Sequence, residues 1–255
     1  PDGFTAAWAV WRALGDNAEY CAMNYGHHMS STPSDYEGRR LIFVDFSLSR
    51  GELRTLIDFG AQVEVYDHHK TAEEDLRDLP GAVKVVFDMT RSGAGIAWDE
   101  FHRGMPRPTL VNYVEDRDLW RWNLPRSREV SEYLFSLSRS FEMWEFASGK
   151  LEVDFPQLAN IGWLLLQAKN ARVQLVCKNF RWLWFGDLEI PVVNSSSDFA
   201  EVGEYLAETF STAPCGGYYF DRVDKRQWGF RSRSGVDFSA FCRKYGGGGH
   251  QAAAG

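Results

Sequence analysis

Hydrophobic and polar positions repeat with two different periods along this chain, and each switch of period marks an element. Phe4 to Leu14 spaces its apolar side chains close to every 3.6 residues among good helix formers, with Asp2-Gly3 ahead of it. A helix is expected there, carrying a carboxylate at its N-terminus and following a strand upstream. Ala18 to Asn24 reads as the next strand, leading to Gly26-His27-His28. Leu41-Ile42-Phe43-Val44 is a continuous apolar run, the mark of a strand buried on both faces, and it ends at Asp45. Ser49 then caps a helix through Phe59 that Gly60 stops. Val63-Glu64-Val65-Tyr66 returns to period two and ends at Asp67-His68-His69.

Strand, helix and strand within about 25 residues form a βαβ unit whose strands run parallel. Both strands deliver their C-terminal residues to one edge of the sheet, so Asp45 and Asp67-His68-His69 are expected to meet in one crevice. The pattern repeats once more: a strand over Val83 to Phe87 ends at Asp88, and Ser92-Gly93-Ala94-Gly95 opens a helix through Phe101. That opening suits plain capping, and its backbone N–H groups also suit a phosphate. Pro108 to Val114 reads as a short helix entering Glu115-Asp116-Arg117-Asp118-Leu119-Trp120, an acid cluster that Arg interrupts and Leu-Trp closes, as a solvated charge run would not be. Two long helical patterns follow, at roughly 129–148 and 156–178. From Arg181 onward the periods shorten to a hairpin turning at Gly186-Asp187, a helix over Phe199 to Phe210, strands near Tyr218–Phe220 and Gln227–Arg231, and a helix over Phe238 to Tyr245.

Composition narrows the class. The chain has 255 residues, 44% of them hydrophobic, enough to bury a sizeable core in one large or two smaller domains. Its longest apolar run, Ile161 to Leu166, is far too short to span a bilayer, so no membrane is expected as partner and the cytoplasm is the expected location. Cys21, Cys177, Cys215 and Cys242 have no paired spacing, which argues against a disulfide framework or a zinc ribbon and for reduced thiols in a core. A net charge of −7 disfavours long duplex nucleic acid and leaves room for a short anionic substrate drawn in by metal ions and a few local cations.

The candidate chemistry centres on Asp67-His68-His69. His supplies a nitrogen ligand, and Asp either ligates or fixes an imidazole by accepting its other N–H. The second pair, His27-His28, has no flanking acid and is given no ligand role. Asp and His donors without Cys suit Mn²⁺ or Mg²⁺, with zinc still open. Four consecutive glycines, Gly246 to Gly249, lie between a helix and a His-bearing tail, a place where an anionic or planar ligand can approach backbone closely.

Asp2-Gly3 before a helix with Ala-Ala, Asp45 after an apolar strand, Asp67-His68-His69, the acids at Asp116 and a terminal Gly-Gly-Gly-His together resemble the DHH phosphoesterase superfamily. The end of the chain resembles its DHH-associated C-terminal domain. The resemblance implies an α/β fold: a parallel-sheet catalytic domain (1–125), a helical spacer (126–180) and a smaller α/β substrate-binding domain (181–255), with the active site in the cleft between the domains. It implies two divalent metals, manganese above all, with magnesium or another divalent ion also admissible. Asp2, Asp45, His68 and Asp116 would be metal ligands, Asp45 bridging both ions and Asp118 held in reserve for the role of Asp116. Asp67 would hold the ring of His68, and His69 would face substrate, so Asp45, Asp67, His68 and His69 form the expected catalytic set. Arg231, Ser232, Gly247, Gly248, Gly249 and His250 would bind substrate. The family motif has a His and another Asp just ahead of Asp2; the chain opens inside that turn, and further residues are expected upstream.

Two such metals activate a water and neutralise a phosphoryl transition state. The activity expected is hydrolysis of dinucleotides and very short oligonucleotides to mononucleotides, of the nanoRNase or oligoribonuclease kind, by a monomer or homodimer. A pAp phosphatase, a cyclic-dinucleotide phosphodiesterase and a pyrophosphate or polyphosphate hydrolase remain open within the superfamily. A non-catalytic nucleotide-binding module remains open outside the enzymes.

Overall fold

The computed structural model describes residues 1–23, 32–77, 79, 83–232, 237–250 and 252–255, the side chain of His250 excepted. His27-His28 and Gln251 lie outside the described residues. The chain divides into two compact units, Pro1–Leu165 and Leu166–Gly255.

The first unit is built on three parallel strands, β1 (Arg40–Val44), β2 (Gln62–Asp67) and β3 (Lys84–Phe87), in that order. Val44 lies opposite Tyr66, and Asp67 opposite Phe87, so the three C-terminal ends share one rim. Between the strands run α2 (Arg50–Asp58) and α3 (Lys70–Leu76). The expected Ser49 cap of α2 is present as a capping box with Glu52. Phe43, Val63 and Val65 pack with Leu53, Leu56 and Leu76 in one core. On the other face lie α1 (Asp2–Leu14), α4 (Gly93–Phe101), α5 (Thr109–Asp118), α6 (Ser127–Ser136) and α7 (Phe141–Val153) around a larger core that includes Trp8, Trp98 and Trp144. Helices on both faces are what a parallel sheet requires.

Small residues set the spacing of α1 and α4. Ala6, Ala9, Ala94 and Ala97 are fully buried where the two helices meet. The helices start together, with Asp2 against Gly93, and further along His102 Nε2 lies 2.8 Å from the Ala9 carbonyl.

Three expectations change. Of the strand expected over Ala18 to Asn24, the described residues 18–23 form none: Tyr20 packs toward one core and Met23 toward the other, with exposed Glu19, Cys21 and Ala22 among them. The helical pattern at 129–148 is two helices, because Ser140 accepts from Met143 N and starts α7 afresh. The spacer expected at 126–180 has no core of its own. Val130, Tyr133, Leu134, Trp144, Leu151 and Leu158 belong to the large core of the first unit. The end of α8 (Phe155–Cys177) sends Val173 and Cys177 into a core of the second unit.

That second unit is a mixed sheet in the order β4-β5-β6-β7-β9-β8, formed by β4 (Arg181–Phe185), β5 (Leu188–Asn194), β6 (Gly216–Asp221), β7 (Arg226–Arg231), β8 (Gly249–His250) and β9 (Ala253–Ala254). The β4–β5 hairpin turns at Gly186-Asp187 as expected, with Phe185 opposite Leu188. α9 (Phe199–Thr209) and α10 (Phe238–Arg243) complete the unit. Cys177, Cys215 and Cys242 are buried thiols, whereas Cys21 is exposed. Among the described residues no helix is long and apolar enough to cross a membrane.

Candidate metal centre

Each side chain at the rim of the first sheet is placed by an identifiable local cause. Asp45 follows β1 in the left-handed region (φ 53°), which Asp tolerates better than most residues, and its N–H still continues the ladder to the Tyr66 carbonyl at 2.9 Å. The turn carries its carboxylate over two glycines. A Cβ on Gly93 would stand 2.4 Å from the Asp45 Cβ, and one on Gly3 would stand 3.0 Å from Asp45 Oδ2. Only hydrogen fits at Gly93.

Asp2 reaches the same place from the first turn of α1. Its Oδ2 accepts from Gly93 N at 2.7 Å and its Oδ1 from Ala94 N at 3.0 Å. The opening of α4 therefore does hold an anion, and the anion is a carboxylate of this chain, seated where the helix dipole favours negative charge.

His68 is the hub. Its Nε2 lies 3.1 Å from Asp45 Oδ1, 3.5 Å from Asp118 Oδ2 and 3.7 Å from Asp2 Oδ2, with only 9% of the side chain exposed. Asp67 is wholly buried behind it; its Oδ1 accepts from His68 N at 2.7 Å and His69 N at 3.3 Å and lies 2.7 Å from His69 Nδ1. The ring that Asp67 holds is thus that of His69, not of His68 as expected, because two backbone N–H groups turn the carboxylate toward the following residue.

The expected ligand Asp116 is also corrected. Its carboxylate accepts from Asn123 N at 2.9 Å, Leu124 N at 3.3 Å and Ser127 Oγ at 2.5 Å, closing the turn between α5 and α6. Asp118 takes the place beside His68. Residues two apart on a helix point about 200° away from each other, so only one of the pair can face the rim.

Without a cation the crowding of like charge shows in the titration of these groups. Burial, then the neighbouring Asp2, push Asp45 up to about 7 and Asp118 up to about 6. Burial works against a charged His68 ring, but the short contact with Asp45 and the charges of Asp118, Asp45 and Asp2 outweigh it and hold the ring at about 9. His69 is likewise raised, the contact with Asp67 overcoming burial. Asp67 Oδ2 is buried with no hydrogen-bond partner among the described residues, and Asp45 Oδ1, also buried, is answered by the His68 ring at 3.1 Å without a well-directed hydrogen bond. Orphaned carboxylate oxygens in such a place are costly unless something positive answers them.

The residues fit a divalent cation. Asp45, Asp67, His68 and His69 form one group, and Asp2, His68 and Asp118 a second, in which candidate ligand atoms all lie within 4.8 Å of one another. Ligands at the bond lengths of a small divalent ion stand about 3 Å apart, near the His68 to Asp45 separation. The donors are carboxylate oxygen and imidazole nitrogen without thiolate, which suit Mn²⁺ or Mg²⁺ and still admit zinc.

The residues expected to bind substrate sit in the second unit. Arg231 ends β7, with Nη1 donating to the Phe230 carbonyl at 3.1 Å. Ser232 donates from N to Ala252 O at 2.9 Å and from Oγ to Pro214 O at 3.2 Å. The glycine run is engaged with its own unit: Gly247 N donates to Cys242 O at 2.9 Å, Gly248 and Gly255 exchange two bonds of 3.0 Å, and Gly249 pairs with Ala254. Gly246 and Gly248 have open space where a Cβ would project, Gly246 in the left-handed region at φ 82°; Gly247 and Gly249 abut backbone. The side chain of His250 lies outside the description.

No family model matches the chain. The mimivirus protein R106 of Acanthamoeba polyphaga mimivirus, itself uncharacterised, is 26% identical over 275 residues, covering all of this chain and 64% of that protein. The chain thus spans just under two thirds of the curated relative it matches. Among solved structures, RecJ from Thermus thermophilus in complex with Mn²⁺ aligns over 99% of this chain and 47% of its own, at 16% identity and a TM-score of 0.52. A pGpG-specific phosphodiesterase from Vibrio cholerae aligns over 99% of this chain and 90% of its own, at 12% identity and a TM-score of 0.49. The fold is the α/β fold of the RecJ structure, a parallel three-stranded sheet in one unit and a mixed sheet in the other.

Proposed function

We propose that the protein is a metal-dependent phosphoesterase that hydrolyses dinucleotides and very short oligonucleotides to mononucleotides, using two divalent cations, manganese for preference. The observation that carries the proposal is the convergence of buried Asp2 and half-buried Asp45 and Asp118, from three separate segments, on the ring of His68. The likeness in fold to a manganese-bound RecJ supports it.

Asp2, Asp45, His68 and Asp118 would hold the cations. When bound, the cations supply a water activated near neutral pH and neutralise the charge of an in-line phosphoryl transition state. Asp67 orients His69, which faces the phosphate and hydrogen-bonds it as the bond to the leaving oxygen breaks. Arg231, Ser232 and His250 hold the nucleotide, Arg231 by its guanidinium fork, with Gly248 leaving room for close approach. The acidic net charge of −7 suits a short substrate better than a long one.

The test is a substrate panel with added Mn²⁺: dinucleotides, short and long RNAs, pAp, cyclic dinucleotides and pyrophosphate. Mononucleotide release is expected, fastest from the dinucleotides. Release of phosphate from pAp or pyrophosphate alone would move the substrate within the same chemistry. Nucleotide binding without any product, in the intact protein, would replace the enzyme by a binding module.

A further inference from the structure

Two acids sit on adjoining amides of the turn that opens α4. Asp2 occupies Gly93 N and Ala94 N. Glu115, from the last turns of α5, occupies the amide before them, Ser92 N, with its Oε2 at 3.1 Å. Glu115 is buried and belongs to neither group of candidate metal ligands.

Its charge is answered by two arginines. Arg107 Nη1 lies 3.1 Å from Glu115 Oε2 and Arg121 Nη1 3.4 Å from Oε1. Arg107 is fixed in turn by Asp99, through Nε at 2.7 Å and Nη2 at 2.5 Å. The turn makes room for both acids by the same device. Gly93 lacks the Cβ that would strike Asp45, and Gly95 lacks the one that would stand 2.2 Å from Glu115 Oε2. A buried carboxylate with two arginines is a costly way to cap one N–H, which plain Ser92 capping of Gly95 N does not require.

We propose that Glu115, held by Arg107, is a positioning residue for the metal centre. It fixes the Ser92 end of α4 so that the next two amides hold Asp2 beside His68 and Gly93 keeps its close approach to Asp45. The inference rests on the reading of that rim as a divalent-cation centre. Groups that orient the ligands of a metal are worth about 10–100-fold in its affinity.

The experiment is titration calorimetry of Mn²⁺ into the intact protein, beside thermal melts of the same metal-free samples. Glu115→Ala is expected to weaken Mn²⁺ binding about 10–100-fold. Glu115→Gln keeps an oxygen for Ser92 N and is expected to recover part of that loss. Gly95→Ala leaves Glu115 in the chain but displaces its carboxylate, and is expected to weaken Mn²⁺ binding even though alanine is the better helix former. A purely structural role would lower the melts without moving the affinity of the folded protein. If Glu115→Ala fails to fold, Gly95→Ala decides. Wild-type Mn²⁺ affinity in the folded variants overturns the positioning role and leaves the metal centre standing; failure of the wild-type protein to bind Mn²⁺ overturns both.

Discussion

The rim of the first sheet and the glycine-rich end of the second unit were both marked by unusual sequence, and they are built on opposite principles. At the rim, carboxylates crowd one another around one imidazole, and the buried Asp67 Oδ2 has no partner among the described residues. At the glycine run, backbone groups pair within the unit, and Gly247 and Gly249 are glycines because a Cβ would strike the backbone of Gly255 or Ala253. Groups left unsatisfied point to a ligand; groups satisfied by their neighbours point to packing. The first region spends stability to be ready for a cation, and the second holds itself together.

The largest effect that tests this contrast is Asp45→Ala. Hydrolysis is expected to fall to background while the metal-free protein melts no lower, since removing one of several crowded acids relieves repulsion. Full activity in a Mn²⁺-dependent assay would take Asp45 out of the chemistry. Next comes the pair on α5. Asp118→Asn is expected to weaken Mn²⁺ about 10-fold or more with little change in melting. Asp116→Asn, which loosens the turn into α6, is expected to cost about 1–3 kcal/mol in denaturant unfolding and to leave the metal affinity of the folded protein alone. The reverse pattern would restore Asp116 as the ligand.

If Arg231 and His250 hold substrate and not metal, as proposed, Arg231→Ala and His250→Ala are expected to raise KM with kcat little changed. Steady-state kinetics on a dinucleotide reads this directly; unchanged KM in both variants would remove the second unit from substrate binding.

The pH response follows from the raised values at the rim. His68 stands at about 9 against an ordinary 6.5, and Asp45 at about 7 against 3.8. Both groups bind their protons more tightly folded than unfolded, so the stability this contributes is full at low pH and is lost as pH rises through the folded values. Metal-free melts are therefore expected to fall from mildly acidic to alkaline pH, while Mn²⁺ affinity, which needs those protons released, climbs over the same window. Melts that rise with pH in the metal-free protein would contradict the crowding at His68. The smallest effects separate two neighbours in the glycine run. Gly247→Ala, whose Cβ would stand 2.2 Å from Gly255 O, is expected to cost about 1–3 kcal/mol. Gly248→Ala, which meets nothing within 4 Å, is expected to stay within about 0.5 kcal/mol.

Much of this was legible in the chain. Alternating and 3.6-residue periods located β1 to β3, α2, α4 and the hairpin of the second unit, because each is a surface with one buried side. The parallel order followed from the short strand-helix-strand spacing, and with it the meeting of Asp45 and Asp67-His68-His69. The choice between Asp116 and Asp118 was not legible: both lie on one helix, and which faces the rim depends on how α5 is rotated by its packing on α4 and α6. Nor was the role of Glu115, although Gly93 and Gly95, two glycines in a helix's first turn, signalled that something approaches closely.

The sequence by itself determined the layered α/β scheme, the rim on which the acids gather and the class of ion they suit, because periodicity and donor type are local properties. Tertiary structure alone decided that Asp67 grips His69, that the α4 amides take Asp2, and that the terminal glycines close on their own sheet. Those outcomes turn on which groups, distant along the chain, arrive within hydrogen-bond reach.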